Sequence, residues 1–389
     1  MPDALFLTGA TGFLGMELLA HLAERDDRPI LALVRARDDE EAEHRLAGVR
    51  ESVFGDRGAY RGRIRAVAGD LTKPSLDLSA VRRAALAAEV TEIVHGAASV
   101  SFTDSIEAAR ATNVEGTRRV LELALEAQRA GGLRRYAHVS TAYVAGDRRG
   151  ACGEDELDAD GHFRNAYEQS KAEAEALVHA HAERLPVQVL RPGIVVGDSV
   201  TGWTSSFNVL YGPMHAFAAG ALPVLPGRRG APVDVVPVDF VARAVVALLD
   251  EPAPSGATYH LTAGPKATTV GELVELGAAR FDRAAPRPVP PWLWRRALRP
   301  ALRRRGPAMR RKAIDRNAVY EPYYRVRATY DTRRAEEALG RRGIAPPELR
   351  SYFDRLVDFA IETRWGRRPL TRAQALERAG LSPRTLVVA

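Results

Sequence analysis

A short run near the start of the chain, Thr8–Gly15 reading TGATGFLG, constrains what it can fold into more than any other feature. The run follows an apolar, strand-like stretch, Ala4–Leu7, and opens onto a helix-patterned segment that begins at Phe13. A glycine triplet between a strand and a helix is how a parallel βαβ unit brings its backbone up to a pyrophosphate. Gly9 is expected to supply the tight turn, Gly12 the close approach of backbone to phosphate, and Gly15 the packing of helix on strand. Thr8, Thr11, Phe13 and Leu14 complete the loop and belong to the same expected cofactor-binding set. The helix behind the loop then offers unpaired N–H groups and the positive end of its dipole to the anion.

The alternation continues through the first half. Strands are predicted at Ala4–Thr8, Pro29–Val34, Ile64–Ala68, Glu92–His95, Arg135–Ser140 and Val187–Arg191. Helices are predicted at Phe13–Glu24, Glu40–Phe54, Ser79–Ala88, Ile106–Ala130 and Ala166–Arg184. Such alternation gives an α/β fold with a doubly wound parallel sheet of the Rossmann type. Residues 1–192 are expected to form the dinucleotide-binding domain, and 233–262 (strand Val233–Pro237, helix Val238–Leu249, strand Thr258–Thr262) to return to it. Residues 193–232 and 263–389 are expected to form a smaller, mostly helical substrate-binding lobe. It would hold a helix at Val270–Phe281, a Pro- and Arg-rich break at Arg287–Pro291, an aromatic segment from Tyr320 to Tyr330, and an amphipathic helix from Glu348 to Arg364.

Composition narrows the partners. With 389 residues, 46% of them hydrophobic and 27% charged, the chain has the make-up of an ordinary globular protein. No stretch approaches the roughly 20 apolar residues of a membrane span, and no secretory leader is legible. A lone cysteine, Cys152, excludes an internal disulfide and fits a reducing compartment. A cytoplasmic protein is expected. The net charge of +7 favours anionic partners. No helix-turn-helix, RNA-recognition or zinc-finger spacing accompanies it, so neither nucleic acid nor a metal is expected. Phosphate-bearing cofactors and thioester carriers account for the same sign.

The second strand ends at Arg35, where an NAD-binding protein would offer an acid to the ribose 2′-OH. A guanidinium suits a 2′-phosphate instead, so NADP(H) is the expected cofactor, with Arg45 as a second contact. Asp38 and Asp39 keep an NAD reading open. Further strand ends supply Asp70 and Leu71, then His95 followed by the small residues Gly96, Ala97 and Ala98. In open α/β sheets these are the ends that face a ligand. His95 is expected to pack rather than react.

Tyr167 and Lys171 lie one helical turn apart in YEQSK, so their side chains share a face. A neighbouring ammonium is expected to lower the tyrosine pKa and fit it for proton transfer. Thr141, at the strand end HVST, is expected to hydrogen-bond a substrate carbonyl oxygen, with Ser140 packing or helping. Lys171 can also hold the nicotinamide ribose. Asn113, in the helix before that strand, is read as a buried amide bracing the active-site strand.

These motifs, in this order over about residues 4–265, resemble the extended short-chain dehydrogenase/reductase superfamily. Within it the chain is most similar to fatty acyl-CoA reductases and to terminal thioester-reductase domains. The residues carrying the likeness are TGATGFLG, LALVRA, GDLTKPSLDL, HGAASVSF, NVEGT, HVSTAYVAG, YEQSK, LRPGIVVGDSVTGW, VPVDFVARAVVALL and YHLTAG. The resemblance implies NADPH-driven reduction of an acyl thioester, on coenzyme A or an acyl-carrier protein, to an aldehyde and onward to an alcohol in some members. It also implies that Pro192, Gly193 and Ile194 line the nicotinamide. Activities like those of 3-beta-hydroxysteroid dehydrogenases or nucleotide-sugar epimerases stay open, as does a non-catalytic NADP-binding regulator. Substrate contacts are expected from Ser101, Phe102, Tyr143, Trp203 and Phe207, with Tyr211, Met214 and His215 behind them. Residues 292–312 combine tryptophan and leucine with arginine and no acid, interrupted by Pro300 and Gly306–Pro307. Such a stretch could touch an anionic membrane surface or receive an acidic carrier.

Overall fold

The computed structural model describes residues 3–305 and 307–382. Seven strands form one sheet: β1 (Ala4–Thr8), β2 (Ile30–Val34), β3 (Ile64–Ala68), β4 (Val90–His95), β5 (Arg135–Val139), β6 (Val187–Pro192) and β7 (Ala257–Leu261). They lie in the order β3-β2-β1-β4-β5-β6-β7, with every neighbouring pair parallel. The chain therefore winds outward in both directions from the β1–β4 junction, and a crevice opens beyond the carboxyl ends of those strands. The expected Rossmann sheet is present.

Helices cover both faces, which is why β1 and β2 are buried along their whole length. On one face lie α1 (Phe13–Arg25), α2 (Asp39–Phe54) and, from further along the chain, Val238–Leu249, which bury Leu18, Leu46 and Phe240 in one cluster. On the other lie α3 (Ala80–Glu89), α4 (Ile106–Ala130) and α5 (Ala166–His179), with Leu86, Val120 and Val178 in a second. Local chemistry starts them. The carboxylate of Asp38 accepts the Glu41 N–H to cap α2, and Asn165 accepts the Glu168 N–H to cap α5. Helix α5 stops at His179, short of the expected Arg184, because the chain tightens into turns that carry Leu185 back into the core.

Two expectations are corrected beyond the sheet. Val233–Pro237 does not return to it as one strand. Pro232–Val233 pairs with Thr268–Thr269, while Val235–Pro237 pairs with Ile194–Val196. Asp234 divides them, buried with its carboxylate accepting the Ala263 and Gly264 N–H groups at 2.8 and 3.2 Å. It is Ala257–Leu261 that extends the sheet, beside β6. The second correction is at the C-terminus. The helix Arg372–Arg378 lies against α1 and α2, where buried Arg372 bonds Glu17 at 2.6 Å, so this piece of 263–389 belongs with the nucleotide-binding half.

The rest of the lobe is mostly helical, with Tyr211–Ala218, Val270–Phe281 and Phe353–Glu362 as its main helices. The expected amphipathic helix from Glu348 resolves into a turn at Leu349–Ser351 and the helix Phe353–Glu362, which buries Phe353, Leu356, Val357 and Ala360. In the basic stretch, Trp294 is buried and donates to Glu321 Oε1 at 2.8 Å, while Trp292 is exposed. The tryptophans therefore do not share one exposed apolar face, and they do not form the membrane-contacting surface that the stretch could have offered. Gly306 lies outside the described residues. Among the described residues, no helix is long and apolar enough to cross a membrane.

Candidate active site

The glycine loop is shaped by contact. Gly9 has φ +85°, and a Cβ there would come within 2.8 Å of the Ala97 nitrogen. A Cβ on Gly15 would meet the Gly9 oxygen at 1.9 Å, so the third glycine is what lets α1 close on β1. Gly12 is exposed and caps α1 without a side-chain hydrogen bond. The first-turn N–H groups of Phe13 and Leu14 thus face an open crevice, which fits a pyrophosphate. Thr8 fastens the neighbouring strand end: its hydroxyl meets His95 Nδ1 at 2.7 Å and accepts the Ala97 N–H at 3.1 Å. His95 is buried, bonds Thr117 through Nε2, and is held down to about 3 by burial and by Lys171. It is a neutral packing residue.

At the end of β2, Arg35 and Arg45 are exposed, and the Arg45 guanidinium donates to the Arg35 carbonyl. Asp38 is engaged as the α2 cap, and Asp39 pairs with Arg82 at 2.7 Å. Asp70 accepts from the Thr72 N–H and hydroxyl, and Leu71 packs on Gly116 of α4.

Asn113 is buried, and its partners are not on the strand that ends at Ser140, which it was expected to brace. Its amide oxygen accepts the Ser99 N–H at 2.7 Å, while its nitrogen donates to Ser99 O and to Ser170 Oγ at 3.0 and 2.9 Å. It ties the loop after β4 to α5, the helix that carries Tyr167 and Lys171. Thr141, just past the end of β5, lies close enough to the Tyr167 hydroxyl to favour its ionised form, while its own hydroxyl donates to the Pro192 carbonyl at 3.5 Å. Pro192 ends β6 beside it, and Gly193 and Ile194 follow. A Cβ on Gly193 would come within 2.5 Å of Asp234 Oδ1, so the segment is held tightly against that buried acid.

The electrostatics differ from the expectation in one respect. Burial pushes Tyr167 up to about 12; the Thr141 side chain opposes that rise, and Glu168 adds to it. Lys171 does not offset this rise; its Nζ donates to the Val139 carbonyl at 2.8 Å and lies 3.4 Å from His138 Nε2. Burial lowers Lys171 itself to about 8, with the Glu175 carboxylate resisting. Ser140 donates to Glu175 at 2.6 Å, so its hydroxyl serves the scaffold.

Sequence reasoning missed the assembly beneath. Glu175 and Arg191 form a buried ion pair, Nε to Oε1 2.9 Å, and Arg191 continues to His260 and to the Glu154 and Glu156 carbonyls. A signal was available. Glu175 sits one turn beyond Lys171 on the same helix, and Arg191 is the one charge in a strand reading VQVLRP.

The substrate candidates scatter. Phe102 lies against Tyr167, ring centroids 5.8 Å apart, and stacks on Tyr323 at 5.2 Å. Tyr143 packs edge-on to Tyr323. Beyond these rings is a cavity of about 130 Å³ between the lobe helices, which Tyr143, Ile194 and Met214 help to line. Trp203 is instead buried against Phe13, with its indole N–H on the Leu370 carbonyl, and Phe207 packs on Tyr211 and Phe359. His215 stacks on Trp365, and Ser101 closes a turn with Thr103. None of these four lines the cavity. Tyr320, Tyr323 and Tyr324, from the aromatic segment expected in the lobe, do.

The profile of the family described as male sterility protein matches residues 7–245. The chain belongs to this family. The family is of the extended short-chain dehydrogenase/reductase type, so this member is an oxidoreductase that uses a nicotinamide cofactor. A nonribosomal peptide synthetase of Aspergillus flavus is 34% identical over 269 residues, covering 66% of this chain and 26% of that protein. The fatty acyl-CoA reductase wat of Drosophila melanogaster is 30% identical over 281 residues, covering 62% of this chain and 53% of that protein. The chain thus spans at most about half the length of these curated relatives. The terminal R domain from the myxalamid PKS-NRPS biosynthetic pathway superposes with a TM-score of 0.80 at 29% identity, covering 94% of this chain and 92% of that one.

Proposed function

We propose that this family member reduces an acyl thioester, carried on coenzyme A or on a carrier protein, to an aldehyde, with NADPH as the reductant. The observation that carries this reading is the placement of Tyr167 on α5 against Phe102, ring centroids 5.8 Å apart, with Phe102 packed in turn on Tyr320 and Tyr323, which line an apolar cavity. Names of relatives support the class of substrate: one is a fatty acyl-CoA reductase, and others are peptide synthetases. The preference for NADPH rests on exposed Arg35 and Arg45 and on the prior engagement of Asp38 and Asp39.

Bound NADPH supplies a hydride, which goes to the thioester carbonyl carbon. Thr141 and Tyr167 hydrogen-bond the carbonyl oxygen, where negative charge grows, and the Tyr167 hydroxyl gives it a proton. As the C–S bond of the resulting hemithioacetal breaks, its hydroxyl returns the proton to Tyr167, the departing thiolate takes a proton from water, and the aldehyde remains. Lys171 holds the ribose side of the site from the floor formed by Val139 and His138. Asn113 keeps α5 in register with the loop after β4. An intact proton donor speaks against a purely regulatory protein.

The test is stoichiometric. Purified protein, NADPH and an acyl thioester should yield one free thiol and one aldehyde for each NADPH consumed, and an alcohol only with a second NADPH. Thiol release without NADPH consumption would mean hydrolysis and refute the assignment.

A further inference from the structure

We propose that an apolar hydrocarbon chain of the acyl group threads into the lobe cavity, and that Gly277 sets the chain length accepted. The proposal rests on the thioester reading for the identity of the head group, but the cavity's preference stands on its own observations.

The first is chemical. Residues lining the cavity carry no charged side chain, and its few polar groups are tyrosine hydroxyls. Two of these are already engaged: Tyr323 OH accepts from Asn165 Nδ2 at 2.8 Å, and Tyr320 OH accepts the Val209 N–H at 3.2 Å. A charged acyl group placed here would lose its water and find no opposite charge, only tyrosine hydroxyls, whereas methylenes are favoured in proportion to the area they bury. The second is continuity. Tyr320 and Tyr323 both line the cavity and both pack on Phe102, which lies against Tyr167. A chain attached to a carbonyl at Tyr167 therefore has an aromatic passage into the lobe.

The third observation concerns the lobe side, where Phe217 and Gly277 face each other. Gly277 lies well inside the helix Val270–Phe281, a position where glycine is a poor choice unless something needs the space. A Cβ there would come within 3.2 Å of both Phe217 Cδ1 and Cε1. The missing side chain leaves room for the phenyl ring to lie back, and with it the volume available to the end of the chain. A larger residue at 277 pushes that ring, or itself, into the cavity. A smaller one at 217 deepens it.

The experiment separates the cavity from the chemistry by using n-alkanols of six to twelve carbons as probes. Their binding to the NADPH-loaded protein is measured by calorimetry. Affinity should rise about fourfold for each added CH2 and then level off where the cavity is full. Gly277→Leu should move that plateau to shorter alkanols, Gly277→Ala less so, and Phe217→Ala to longer ones. Turnover of acyl thioesters of the same lengths should shift in the same order. Should Gly277→Leu fail to fold, Phe217→Ala carries the test alone. Affinity independent of length, or a plateau unmoved by any folded variant, overturns the proposal and makes Gly277 a packing glycine only. A plateau that moves while no thioester is reduced would leave the chain-length assignment standing and refute the thioester reading.

Discussion

Proton transfer at this site rests on a hydroxyl that burial holds at about 12, so Tyr167 enters the reaction protonated and acts as an acid toward the growing oxyanion. Tyr167→Phe removes the proton and one of two hydrogen bonds to that oxygen. Turnover should fall by roughly 10²–10⁴-fold while NADPH affinity, read by fluorescence titration, changes little; a loss under tenfold would place the donor elsewhere. Lys171 sets the pH behaviour. Burial lowers it to about 8 against the pull of Glu175, so its charge is present below that value and lost above it. The kcat/KM profile should therefore decline as pH rises through about 8, and Lys171→Arg should lack that limb. Glu175→Gln removes the carboxylate that resists the fall, so the limb should move to lower pH. Arg35 belongs to the same scale. Arg35→Ala forfeits charge-assisted hydrogen bonds worth roughly 1.5–3 kcal/mol, so KM for NADPH should rise by about 10- to 100-fold with little change for NADH. Equal effects on both would remove the phosphate role.

Among the elements, the helix Arg372–Arg378 ties the far end of the chain to the cofactor half through a buried ion pair. Burial alone would raise the Glu17 carboxyl, but Arg372 and His21 override it and hold it at about 2. Because the folded value lies below the unfolded one near 4.5, the pair's contribution is complete above pH 4.5 and is lost as pH falls toward 2. Arg372→Met leaves a buried carboxylate without its main partner and should cost about 3–5 kcal/mol, seen as a lower urea midpoint. An unchanged midpoint would show that this helix is not part of the cooperative unit. That helix went unread although its signal was in the sequence, Thr371 with Gln374 forming a capping box. The parallel strands were legible because buried strands between helices are continuous apolar runs, and the glycine loop fixed where the first one ends. Val233–Pro237 looked like another such run. Asp234 inside it is tolerated only because two backbone N–H groups from the Ala263 turn reach it, a contact remote in sequence. Trp203 and Phe207 misled for the same reason: an aromatic near the site in sequence packs wherever the fold leaves a hole, here against Phe13 and Phe359.

For the whole molecule, the crevice at the β1–β4 junction and the lobe cavity meet at one place, the ring of Phe102 against Tyr167. On the proposed reading the cofactor comes from the sheet side and the acyl chain from the lobe side, so the carbonyl would be the part of the substrate that both halves touch. That division explains why the catalytic residues could be read from a strand end and one helical turn, while the cavity could not. Its walls come from Tyr143 and Ile194, from Tyr211–Ala218, from Val270–Phe281 and from the segment around Tyr323, pieces far apart in sequence. The account's central claim is that hydride reaches a thioester carbonyl carbon at this meeting point. The direct measurement is a single turnover with NADPH deuterated at nicotinamide C4 and an acyl thioester, with the product examined by mass spectrometry. The account predicts one deuterium at C1 of the aldehyde, in the wild-type protein and, far more slowly, in Tyr167→Phe. An aldehyde without deuterium, or deuterium delivered to a ketone or sugar carbon while thioesters remain untouched, would contradict it.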